Sequence, residues 1–136
     1  MNSKLTFRSL TEKDYEILCD WWKWWKFNPL AKEALPENGT GGFMVEYGNT
    51  NVCAGFIYKT NSNICLIEWV ISNYNVKDKI VRKEAIKLLI NALTSEGRRL
   101  GFKVAFTWLI NENLKTKMED CGFVKTSQPI EMIKKL

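Results

Sequence analysis

The 136-residue sequence contains no histidine. That absence removes histidine-based catalytic triads and histidine metal sites, and leaves chemistry to carboxylates, tyrosine, cysteine or water. The cysteines Cys19, Cys53, Cys65 and Cys121 form no CxxC pair and no metal-ligand spacing, so they read as free thiols and no metal is expected. No apolar run approaches the roughly 20 residues of a membrane span, and no repeat or low-complexity tract interrupts the chain. The opening stretch "MNSKLTFRSLTEKDYE" lacks the apolar segment of a secretory signal. The expectation is a single domain over 1–136, cytoplasmic and without membrane association.

What is present is an ordinary globular balance, 46% hydrophobic and 26% charged residues, with a net charge of +5. Such a charge is compatible with a phosphorylated ligand, with nucleic acid, or with neither.

"KLTFRSL" (4–10) fits a first strand. Thr11 is placed to cap the helix that follows, where Tyr15, Leu18 and Trp22 share a face and Asn28-Pro29 marks the stop. "AKEAL" suggests a helical turn before the turn cluster "PENGTGG". Three strand-like segments follow at 43–47, 51–60 and 64–72, separated by Gly48-Asn49 and "TNSN", which predicts an antiparallel meander. A helix over 78–96 carries the apolar stripe Val81, Ala85, Leu88, Leu89, Ala92 and Leu93, with Gly97 near its end. A strand over 103–110, a short helix "NENLKTKMEDC" and a final strand "PIEMIKKL" complete the order β-α-β-β-β-α-β-α-β. The expected fold is a mixed-sheet α/β (α+β) sandwich. Segments 64–72 and 103–110 would lie parallel, with a ligand at their carboxyl ends.

The loop at that position is unusual. Lys77, Lys79, Arg82 and Lys83 crowd the start of a helix, where the dipole disfavours cations. An anionic ligand would offset that cost. Solvated surface charges are the alternative.

Two segments, with this element order, resemble the GNAT family of N-acyltransferases. In "NENLKTKMEDCGF", Asn111 and Gly122-Phe123 stand eleven residues apart, as in the family's late signature. In "NVKDKIVRKEAIKLL", Lys77, Ile80 and Arg82 occupy the positions where the family's phosphate-binding loop has Arg or Gln, Gly, and Gly or Ala. Both glycines are missing. The resemblance implies a GNAT-like acyl-CoA N-acyltransferase fold, with acetyl-CoA as co-substrate and an amine as acceptor, small-molecule or macromolecular. It implies a diphosphate held at Lys77, Lys79, Ile80, Val81 and Arg82, and a pantetheine arm against Val70, Ile71, Ser72 and Asn111. For Asn111 a helix cap is the alternative.

The resemblance also makes Glu68 the general base, against a structural ion pair or a carboxylate facing the sheet edge. A carboxylate inside an apolar strand is costly unless it is paired or used. The position where many family members carry an acidic Tyr holds Met118, which cannot donate a proton. The first helix would wall the acceptor site, making Trp21, Trp22 and Trp25 substrate-binding candidates against core packing. With Lys23 and Lys26 interleaved, that helix would also suit nucleic acid. A degenerate GNAT-fold module that binds nucleic acid or protein is therefore the alternative function, and exposed tryptophans would suit a homodimer. The compact chain is also similar to small phage or mobile-element members of the family.

Overall fold

The computed structural model describes residues 4–136. In chain order it contains β1 (Leu5–Ser9), α1 (Asp14–Trp24), short 3-10 turns at Lys32–Ala34 and Pro36–Gly39, β2 (Gly42–Tyr47) and β3 (Thr50–Lys59). Then come β4 (Ile64–Ser72), α2 (Lys79–Arg99), β5 (Val104–Phe106) and α3 (Glu112–Asp120). The sheet order follows the chain, β1-β2-β3-β4-β5. Its first three pairings are antiparallel, and β4–β5 is parallel. The β2–β3 hairpin closes on Gly48, whose φ of 61° suits the first central residue of a tight two-residue turn. No helix among the described residues is long and apolar enough to cross a membrane.

Strand alternation divides the core between two faces. Met44, Ala54, Phe56 and Ile71 pack with Leu18, Trp21 and Trp22 of α1. Val45, Cys53, Ile57, Cys65 and Ile67 point the other way, into the buried stripe of α2 and Met118 of α3. Burying one such side chain contributes about 1.5–3 kcal/mol as an upper estimate, so the α2 stripe is the main reason that helix forms.

Five expectations are corrected. The final strand over 129–136 does not form: the described chain after α3 has no regular structure, and Ile130, Met132, Ile133 and Leu136 are exposed. An apolar alternating segment becomes a strand only where a sheet edge receives it. The fifth strand is shorter than 103–110 because its pairing with β4 stops at Phe106. α2 starts one residue later and runs to Arg99, so Gly97 lies inside it. A Cβ on Gly97 would stand 3.1 Å from the Cys65 sulfur, so glycine there lets the helix approach β4. Thr11 does not cap α1; its N–H and hydroxyl donate to the Asp14 carboxylate at 2.8 and 3.2 Å. Nor does the chain turn only at Asn28-Pro29: Lys26, at φ 69°, ends α1 in the left-handed region. The N–H groups of Phe27 and Lys26 donate back to the Trp22 and Lys23 carbonyls, a glycine-type helix ending made by lysine.

Asp14 is 3% exposed and makes hydrogen bonds of 2.8 and 3.0 Å with Arg8. Burial pushes its pKa up, but the bonds from Arg8 and Thr11 outweigh that and hold it below the ordinary value. This pair ties the start of α1 to β1.

Candidate active site at the fork between strands four and five

β4 and β5 pair only at Ile64–Val104, Cys65–Ala105 and Leu66–Phe106. β4 continues to Ser72 with its β5-facing edge unladdered among the described residues. The strands therefore part at Leu66, and Glu68 stands immediately past the parting, on the α1 face. Its Oε2 accepts the Trp108 backbone N–H at 2.8 Å, bridging the mouth of the fork. Burial raises the Glu68 pKa to about 7, against the lowering effect of the Trp108 N–H and the Thr107 hydroxyl, while the Glu131 carboxylate adds to the rise. A group titrating there can take a proton from an ammonium and return it.

A bulge shapes the strand just beyond. Phe56 pairs with Glu68 and Ala54 with Ile71, so Gly55 of β3 faces both Trp69 and Val70 of β4. Trp69 takes a φ of 60°, an uncommon conformation for a bulky residue. Its indole N–H donates to the Tyr58 hydroxyl at 2.8 Å, which itself donates to the Ala34 carbonyl at 2.7 Å. A Cβ on Gly55 would meet Leu93, Val70 and Leu89 at 3.2–3.3 Å. Glycine there lets the α2 leucines and Val70 close tightly on β3. Ile71 is buried on the α1 face, and the Ser72 carbonyl accepts the Trp25 indole N–H at 2.9 Å.

The β4–α2 loop shows where its cations go. Lys77 lies 5.8 Å from the Trp24 ring centre and Arg82 lies 5.7 Å from that of Trp25. Trp24 stacks on Tyr74 with centroids 4.8 Å apart and planes 1° from parallel. Tyr74 in turn donates to Asp20 at 3.0 Å. The end of α1 is thus fastened to the loop by aromatic and cationic contacts. Ile80 is 64% exposed. Lys79 is exposed.

The backbone N–H groups expected to cradle a diphosphate are already engaged. Asp78 Oδ1 accepts the Ile80 and Val81 N–H groups at 3.0 and 3.2 Å, and the Asp78 carbonyl accepts that of Arg82 at 3.0 Å. The physical reason is an N-cap carboxylate at a helix start, where it satisfies orphan donors and meets the positive end of the dipole. An aspartate two residues before Ile80, the first apolar residue of α2, is the sequence signal for it.

Two of the tryptophans expected to touch substrate do not have the surface for it. Trp21 and Trp22 are each 3% exposed and belong to the α1 core; indoles at those positions of an amphipathic helix face the sheet. Trp25 is half-buried and touches both Arg82 and Ser72. Asn111 caps α3, its Oδ1 accepting the Leu114 N–H at 3.0 Å. Met118 is 2% exposed, and Gly122 at φ 98° ends the helix. The four thiols are free, and burial pushes the buried Cys53 thiol well up, which leaves it unreactive. Among the described residues no group of three or more acidic, cysteine or histidine side chains is placed to hold a metal ion.

Sequence reasoning missed the exposed aromatics beside Glu68. Trp69, Phe106 and Trp108 are 42%, 47% and 51% exposed. The alternation in "KVAFTWLI" carried that signal: Phe106 and Trp108 share a face that no later element covers.

No protein-family model matches the chain, and no curated protein sequence does. Solved structures do. An aminoglycoside acetyltransferase from an uncultured soil metagenomic sample, crystallised with trehalose, superposes with a TM-score of 0.67 at 14% identity, covering 100% of this chain and 99% of that one. Glucosamine-6-phosphate N-acetyltransferase from Arabidopsis thaliana superposes with a TM-score of 0.64 at 16% identity, covering 95% and 97%. N-acetylglutamate synthase from Neisseria gonorrhoeae, in complex with coenzyme A and L-arginine, gives 0.69 at 11% identity, with 90% of this chain on 28% of that one. The parting strands, the bulge and the element order together give this chain the fold of the GNAT N-acetyltransferases.

Proposed function

We propose that the chain transfers an acyl group, acetyl in the first instance, from an acyl-CoA to the amine of a small molecule. The observation that carries the reading is Glu68, with its raised pKa, at the point where β4 and β5 separate. Acetyl-CoA, when bound, supplies the thioester carbonyl. Glu68 takes one proton of the acceptor ammonium, directly or through water, so that the free amine forms the new C–N bond as the C–S bond breaks; the nitrogen then gives its second proton to water. Backbone N–H groups beyond the bulge, near Ile71, stabilise the oxyanion. Water returns the proton to the departing thiolate, since the buried Met118 thioether has none to give.

The fit to a CoA diphosphate is through charge. Lys77, Lys79 and Arg82 lie around the loop, and Val70, Ile71 and Ser72 offer backbone on the open side of β4. Asn111, its Oδ1 committed to the cap, keeps its NH2 for the pantetheine arm. The N–H groups of Ile80 and Val81 become available only when Asp78 turns away. Trp25 borders the same loop; Trp21 and Trp22 support it from the core. Calorimetry with acetyl-CoA tests the reading: micromolar binding is expected, and no heat at 100 μM protein would sink it.

That same Asp78 cap favours a second reading, a GNAT-fold binding module that no longer holds CoA. It predicts salt-sensitive binding of nucleic acid to the basic loop. A gel-shift assay at low salt without any retarded band removes its nucleic-acid form.

A further inference from the structure

We infer that the acceptor is a cationic amine carried on a flat apolar ring, an arylalkylamine, with its ammonium at Glu68 and its ring over Phe106 and Trp108. The inference deepens the proposed acyl transfer and rests on that reading for its chemistry, though not for binding.

Tyr58 pairs with Leu66 and Leu66 with Phe106 across adjacent strands, so these three side chains form a row on the α1 face. Glu68 stands two residues beyond Leu66 on that face, tied to the backbone of Trp108, which itself follows Phe106 by two. Trp69 leans back across the row to Tyr58 through its indole N–H. The half-buried carboxylate thus has the Tyr58–Trp69 pair on one side and, on the β5 side, the Thr107 hydroxyl and Trp108 backbone, with Phe106 in the adjoining row. Trp69, Phe106 and Trp108 keep 42–51% of their surface open.

Aromatic faces and a carboxylate both attract an ammonium, and π faces attract another ring. Glu68 is diagonal to Phe106, across the last pair Leu66–Phe106; diagonal same-face neighbours stand about 7–8 Å apart, within reach of an ammonium and a ring joined by a two-carbon arm.

The lining is poor in unused polar groups. The Tyr58 hydroxyl accepts from Trp69 and donates to Ala34, so it has no proton left for a ligand. Thr107 is directed at Glu68. A polyhydroxylated amino sugar would lose its hydration against these rings without replacement partners, which binding sites reject strongly. A nucleic acid would bring phosphates toward Glu68 and the neighbouring Glu131, with the wrong sign. A flexible alkylamine would satisfy the charge but leave the aromatic faces wet and lose chain entropy.

Binding is read by calorimetry without acetyl-CoA, using phenethylamine against phenethyl alcohol, hexylamine and glucosamine, on the full chain. Phenethylamine is expected to bind at least five-fold more tightly than each comparator. Glu68→Gln and Trp108→Ala should each weaken it at least five-fold, while Phe7→Ala, an exposed aromatic on β1 at the opposite edge of the sheet, should leave it unchanged. Trp108 is half-exposed, so its truncation does not empty the core; circular dichroism of each variant confirms folding. Equal or tighter binding of glucosamine, equal binding of the uncharged alcohol, or indifference to both substitutions overturns the inference. Transfer to glucosamine alone overturns it while sparing the acyltransferase reading. Phenethylamine binding with no acetyl-CoA binding does the reverse.

Discussion

Replacing Asp78 with alanine should weaken the fold and strengthen the binding of acetyl-CoA. The carboxylate satisfies two N–H groups at the start of α2, and loss of such an N-cap costs about 1 kcal/mol. For a chain of 136 residues, with roughly 2.1 cal/mol/K of unfolding entropy per residue, that is a fall in Tm of about 3–4 °C. The same change uncovers the Ile80 and Val81 N–H groups and removes a negative charge from a loop otherwise carrying Lys77, Lys79 and Arg82. Charge-assisted bonds to a diphosphate contribute more than neutral ones; about 1–1.4 kcal/mol of net gain corresponds to roughly five- to ten-fold tighter binding. Differential scanning calorimetry reads the first effect and titration calorimetry at fixed salt the second. A variant that loses stability and also loses affinity would show that Asp78 arranges the cradle rather than competing for it, and the charge argument would fall.

Lys26→Gly should raise stability by about 0.5–1 kcal/mol, because φ 69° strains every residue with a Cβ; an unchanged or lower urea midpoint would contradict this. Glu68→Gln should lower kcat by a factor on the order of 100 or more and erase an inflection near pH 7 in the rate profile; a variant at wild-type rate excludes the base role. Because the folded-state pKa of Glu68 is raised, its proton is held more tightly by the native chain. Its contribution is complete below the ordinary carboxyl value of 4.5 and is lost as pH rises to about 7. With solvent screening that loss is about 1–2 kcal/mol, and Glu68→Gln should flatten it in pH-dependent melts. Asp14→Ala should cost about 2–3 kcal/mol by leaving Arg8 without its buried partner. The lowered Asp14 pKa places its contribution above the ordinary carboxyl range and removes it in acid. A variant whose acid midpoint matches the wild type would refute that account.

Periodicity made much of this architecture legible. The stripe of α2 and the alternation through 43–72 specify which residues face inward, and Gly48-Asn49 and "TNSN" mark the turns. The connection from β4 to β5 through α2 then required a parallel pair. Glu68 was legible because a carboxylate interrupts the otherwise apolar "ICLIEWVIS". The bulge at Trp69 was not: bulges depend on how one strand's register meets another's, and no glycine in β4 signals it. Residues 129–136 misled because apolar spacing states a capacity for pairing and says nothing of a partner. The basic loop was legible only in part. Its cations read as ligand-seeking, with no hint that Lys77 and Arg82 also lie over indoles supplied from a helix some fifty residues earlier, a juxtaposition no local pattern encodes. Asp78 stood in plain view, read as the first helical residue when it is the cap.

The crossing of Gly42 and Gly55 sets a limit on how this chain can vary. A methyl group on Gly42 would sit 2.0 Å from the Gly55 carbonyl oxygen, so the smallest substitution wedges β2 away from β3. Gly55 is also the residue facing the two-residue bulge that directs Glu68 and Trp69. Spacing errors introduced between the second and third strands therefore propagate to the carboxylate without touching it. In a random-mutagenesis screen for lost activity, Gly42 and Gly55 would recur as often as Glu68 itself, though neither carries a functional group.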